Sequence, residues 1–123
     1  MLTRRAVAAA ALATLTPEIA MGDETPKYGL IGKMIAAPGQ RDALIGFLFE
    51  GTGAMPGCLS YVVAGDPTNP DAIWITEVWT SKQHHADSLK LPAVQAAITK
   101  ARPIIAGFGE RFETTPVGGV GLI

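Results

Sequence analysis

The sequence predicts an α+β domain whose elements run β-α-β-β-α-β, with helices laid on one face of a four-stranded antiparallel sheet. Three observations carry that reading. Strand-type and helix-type hydrophobic periods follow one another along the chain in that order. Proline and glycine mark nearly every change of period. The third strand, AIWITEVW, has large apolar side chains on both faces, which a sheet with one wet face does not show. With 123 residues, 48% of them hydrophobic, and a net charge of -1, the chain fits one compact core.

The elements follow from local chemistry. KYGLIGKMIA, residues 27–36, is apolar and alternating, and Pro38-Gly39 ends it. In GQRDALIGFLFE, Leu44, Phe47 and Leu48 fall at i, i+3 and i+4 with Arg41 and Asp42 opposite, the pattern of an amphipathic helix. Met55-Pro56-Gly57 closes that unit, and CLSYVVA, residues 58–64, is the second strand. GDPTNPD is a turn-rich loop short enough to join it as a hairpin to the third strand, residues 72–79. Ser81 is a good N-cap for a helix from Lys82, Leu91-Pro92 interrupts that helix, and Val94, Ala97, Ile98 and Ala101 give a second apolar stripe before Pro103. GFGERFETT, residues 107–115, is the fourth strand. The order is the ferredoxin-like one. Residues 27–115 thus form the domain, residues 21–26 a linker, and 116–123 a glycine-rich tail with no reason to fold alone. A second copy of the sheet is the simplest cover for its other face, so a homodimer is expected.

Composition excludes several classes. After the first five residues there is no run of Lys and Arg, so the electrostatic footprint of a nucleic-acid binder is missing. Cys58 is the one cysteine, and no Cys/His cluster has metal-ligand spacing. His84 and His85 are adjacent, and helix neighbours diverge by about 100°, so the pair does not converge on one ion. No metal site is expected. Residues 1–20, MLTRRAVAAAALATLTPEIA, begin with paired arginines and continue in an apolar run too short to span a bilayer. They read as a twin-arginine-like export signal, which sends the protein to the periplasm. If Met21 is the true start, the protein is cytoplasmic.

Met55-Pro56-Gly57-Cys58, then Tyr61, Asp66-Pro67 and Pro70, then Glu77-Val78-Trp79-Thr80-Ser81 followed by a helical histidine, resembles the antibiotic biosynthesis monooxygenase family, including the bacterial quinol monooxygenases. The resemblance runs from about Tyr28 to Phe112, and the Glu-x-Trp-x-Ser step is its most specific part. It implies a dimeric α+β barrel of two face-to-face sheets, with a small pocket between helices and sheet in each subunit. For the better-known members it implies oxidation of polyphenols or quinols by O2 with no metal or flavin. Many members carry a histidine four residues before the helix-breaking proline. Here that position is Ser88, and His85 lies one turn earlier on the same face.

The candidate site gathers around the third strand. Alternation sends Ile73, Ile75, Glu77 and Trp79 to one side, and a carboxylate in that apolar row is the oddity. Buried without a partner it has a raised pKa and serves as a general base; reaching water, or paired with Lys33 or Arg111, it is structural. Trp79 reads as a core anchor whose indole also suits a flat aromatic. Tyr61 reads as core with its hydroxyl on a polar partner, and Cys58 as a small buried hydrophobe. His85 looks inward and His84 outward; an inward histidine is either a hydrogen-bonded core residue or a base suited to a phenolic proton. A cofactor-free oxidation needs one base, one or two donors and an apolar box. His85 and Glu77 as bases, with Trp79, Tyr61 and Ser88 against a small aromatic substrate, meet that minimum. So do pockets that only bind, and a non-catalytic binder of small aromatic or lipid-like molecules is the alternative.

Overall fold

The computed structural model describes residues 26–122. The proposed signal of residues 1–20 lies outside them, as does most of the linker. The elements are β1 (Tyr28–Ala36), α1 (Arg41–Gly51), β2 (Cys58–Gly65), β3 (Ala72–Trp79), α2 (Lys82–Ser88), α3 (Pro92–Ala101), a 3-10 turn (Arg102–Ile104) and β4 (Ile105–Thr114). The sheet order is β2-β3-β1-β4 with every neighbouring pair antiparallel, which is the ferredoxin-like arrangement expected. No helix among the described residues is long and apolar enough to cross a membrane. Beyond Thr114 the described chain forms no strand or helix.

Two features go beyond the sequence expectation. β4 begins at Ile105 rather than Gly107, because the 3-10 turn carries the chain through Pro103 straight into pairing with Ala36. Ala37 N donates to Ile104 O at 2.8 Å and seals that corner. Gly51 falls in the last turn of α1, where an added Cβ would lie 2.8 Å from Ala97 Cβ. A side chain there would push α1 and α3 apart, so glycine sets how closely the two helices cross.

Cross-strand pairing sorts the side chains into two faces. One row of the inner face reads Tyr61, Glu77, Leu30, Glu113, and the row beside it Val63, Ile75, Gly32, Arg111. The helices cover this face. Leu44, Ile73, Ile75, Ala36 and Ala101 form the main core, and Tyr28, Leu30 and Trp79 form a smaller cluster at the other end of β1. The outer face carries the row Val62, Thr76, Ile31, Phe112, flanked by Trp74 and Val78. Lys33 belongs to this outer face, where its Nζ lies 3.4 Å from Asp66 Oδ2. Two donors from Thr68 hold the Asp66 carboxyl well below its usual range, and Trp74 Nε1 also donates to it at 3.1 Å.

Candidate active site

Ser81 starts the segment that brings the histidines to the sheet. Its backbone is extended and its Oγ accepts from His84 N, so α2 begins where the sequence places it. One position on, His85 turns inward; His84 stays exposed, with its Nδ1 within 2.7 Å of Ser81 Oγ and 3.0 Å of Thr80 Oγ1. The ring of His84 lies over Gly57, whose φ of +83° admits glycine far more readily than any other residue.

Glu77 projects from β3 toward His85. His85 Nε2 is 3.8 Å from Glu77 Oε1, and Trp79 Nε1 donates to the same oxygen at 2.9 Å. Burial pushes the Glu77 carboxyl above its ordinary value, opposed by the Trp79 hydrogen bond and then by the charges of His85 and Arg111. Desolvation thus outweighs its donors. Lys33 cannot be its partner, since it projects from the opposite face to Asp66. Arg111 reaches Glu77 by charge alone.

His85 packs on two aromatic rings that are cross-strand neighbours. Trp79 meets it edge-on with centroids 5.5 Å apart, and the Tyr28 ring lies tilted with its centroid 5.4 Å away. Tyr28 is fixed in turn: its hydroxyl donates to Glu113 at 2.6 Å, and Lys82 Nζ is 3.6 Å from the same carboxylate oxygen. Desolvation, with Glu113 beside it, raises the Tyr28 phenol, and the bond from Tyr28 lowers Glu113. Ser88 is buried, and its Oγ donates to His85 O at 2.6 Å.

These groups border one cavity of about 440 Å³ between helices and sheet. Glu77, Trp79, His85, Ser88 and Tyr61 all line it, so all five residues singled out in the sequence share one space. The rest of the wall is largely apolar and includes Met34, Leu48, Val94, Ala97 and Ile98, and Thr52, Arg102 and Phe108 also line it. That volume and lining suit a small aromatic molecule. Trp79, 1% exposed, is both core anchor and wall. The Tyr61 hydroxyl, contrary to expectation, has no hydrogen-bond partner among the described residues, and burial raises its pKa. Cys58 is half-buried rather than fully buried; its Sγ donates to Ser60 O at 3.6 Å, and burial raises the thiol. Leu89, one turn after His85, is 45% exposed at the cavity's edge. Tyr28, Arg102 and Phe108 were not singled out in the sequence. Alternation through Leu30 would have found Tyr28, whereas no periodic signal marks Arg102. Among the described residues no group of three or more His, Cys, Asp or Glu side chains is placed to hold a metal ion.

Fold and cavity together define a ferredoxin-like protein with a small-molecule pocket between its helices and its sheet. The family profile described as "Antibiotic biosynthesis monooxygenase" matches residues 28–100, and the chain belongs to that family. A candidate antibiotic biosynthesis monooxygenase from Chloroflexus aurantiacus J-10-fl is 66% identical over 78% of this chain and 98% of its own, with a TM-score of 0.76. A candidate member from Caulobacter crescentus CB15, 15% identical over 82% of this chain and 99% of its own, superposes with a TM-score of 0.69. A Pseudomonas aeruginosa protein, 18% identical over 76% of this chain and 97% of its own, gives 0.66. The last two likenesses bear on the fold alone. No curated protein gives a significant match.

Proposed function

We propose that this protein is a cofactor-independent monooxygenase that oxidises a quinol or similar small aromatic with O2. The observation that carries this reading is the partly buried Glu77 carboxylate, its pKa raised by desolvation, facing His85 at the wall of a largely apolar cavity. Family membership supports the general monooxygenase assignment.

A phenol bound flat against Trp79 gives its proton to Glu77 or His85, whose nearest polar atoms lie 3.8 Å apart. The quinolate then passes one electron to O2. The resulting radical pair joins at a ring carbon, forming a C–O bond, and the hydroperoxide loses water. One oxygen ends in the ring and one in water: quinol plus O2 gives hydroxyquinone plus water, with no further reductant. The protein's share is to hold the phenolate, keep the ring flat and exclude bulk water.

Oxygen uptake with a panel of hydroquinones tests the proposal. Stoichiometric O2 consumption with appearance of the hydroxyquinone is the expected result. Tight binding of the same compounds without uptake makes the protein a non-catalytic binder of small aromatics.

The same reading includes a homodimer built through the outer sheet face, where Val62 and Phe112 are each 53% exposed in one row. It also includes export directed by residues 1–20. N-terminal sequencing of the native protein tests that part, and Arg4 still attached in a soluble cytoplasmic pool overturns it.

A further inference from the structure

The cavity has a second polar element, remote from the base. Arg102 lines it and is exposed; among the described residues its guanidinium has no acidic partner and no hydrogen bond. Its backbone is fixed, since Arg102 N donates to Ile98 O at the end of α3 and Arg102 O accepts from Ile105 N. The 3-10 turn leads directly into Ile105, which pairs with Ala36, so Arg102 enters the cavity from the Ala36 end of β1. Phe108, opposite Met34, is 72% exposed and lines the cavity from that same end. Glu77 sits opposite Leu30, toward the other end. Four residues of strand, at about 3.3 Å each, separate the two stations by about 13 Å.

We propose that Arg102 is a specificity determinant that selects aromatic acids, binding a ligand carboxylate at the Phe108 end while the ligand's phenol faces Glu77 and His85. This rests on the pocket reading above and names its substrate class. A guanidinium presents paired N–H donors that match a carboxylate in two parallel hydrogen bonds. The largely apolar wall offers an aromatic ring burial, and the other basic side chain on it, His85, lies at the Glu77 end. Charge also sets the direction of binding. A carboxylate at the base end would face Glu77, so the like-charge arrangement is disfavoured and the phenol is left to meet the base. Phe108, on the same rim, gives the ring-bearing end of the acid an apolar surface as it enters.

The test is calorimetric titration of the full chain with p-hydroxycinnamic acid and with its methyl ester at neutral pH, and it needs no turnover. The parent is expected to bind the acid roughly five- to tenfold more tightly than the ester, a modest preference because the site is open to solvent. Arg102→Gln abolishes the preference while ester affinity stays the same, and Arg102→Lys keeps part of it. Arg102 is exposed, so both variants are expected to fold; unchanged thermal transitions check this. Equal affinity for acid and ester in the parent, or a preference that survives Arg102→Gln, overturns the inference and leaves the pocket reading standing. Failure of both probes to bind the parent overturns the two together.

Discussion

His85 and Glu77 face each other from helix and sheet, and each variant separates a different role. Loss of a positioned base costs about two to four powers of ten in rate, whereas loss of an exposed helix residue costs little. His85→Ala is expected to lower quinol oxidation at least about tenfold, the low end of that range, while His84→Ala leaves it unchanged. Equal rates in the two variants remove His85 from the chemistry and leave Glu77 as base. Glu77→Gln keeps an oxygen to accept from Trp79 Nε1 but cannot take a proton. Because burial raises the Glu77 pKa in the folded protein, the native state holds its proton more tightly than the unfolded chain does. The parent therefore loses stability as pH rises from the unfolded carboxylate range, about 4.3, through the folded value. Glu77→Gln is expected to flatten that part of the stability profile and to be no less stable at neutral pH, while losing activity. Denaturant melts at several pH values measure it; a variant that is markedly less stable at neutral pH shows that the ionised carboxylate was stabilising. Glu77 and His85 were legible in the sequence because period two and period 3.6 each leave a polar residue on an apolar stripe. The suggestion of Lys33 as partner failed on parity: Leu30, Gly32 and Met34 face the helices, so Lys33 faces away.

Elements were legible where proline or a cap punctuated them. The Leu91-Pro92 break appears as the gap between α2 and α3, with proline in the first turn where its missing N–H costs nothing. The ends of β4 and the closeness of α1 to α3 were not legible, because pairing with Ala36 and the fit of Gly51 against Ala97 join residues far apart in sequence. Gly57 shows how tightly one junction is made. A Cβ there would lie 2.5 Å from His84 Cγ and 2.7 Å from His84 Cβ, on a backbone already at positive φ. Gly57→Ala is expected to destabilise the domain by about 1–3 kcal/mol. Adding His84→Ala should return the part of the steric cost that the ring causes and leave the close approach to the Cβ at position 84 together with the backbone part, so chemical denaturation of the two single variants and the double variant separates them. Strict additivity of the two substitutions would show that the ring moves aside freely.

The outer sheet face is the proposed contact between copies of the protein. Val62 and Phe112 expose half their surface in a row completed by Thr76 and Ile31. A glutamate at either position faces water in a monomer but is buried without a partner in a face-to-face pair. Val62→Glu and Phe112→Glu are each expected to shift light scattering from dimer to monomer while the fold persists. A parent that is already monomeric at micromolar concentration overturns the homodimer. The inner face has a different consequence. The proposed proton acceptors, Glu77 and His85, come from β3 and α2, whereas Leu48, Val94, Ala97 and Ile98 of the apolar wall come from α1 and α3. Shape and reactivity are therefore inherited from different stretches of chain, and one can drift while the other is held. Ile98→Phe should shorten the list of accepted aromatics without moving the pH dependence of those still oxidised, which would make this small cavity a lock whose wards can be recut around an unchanged bolt.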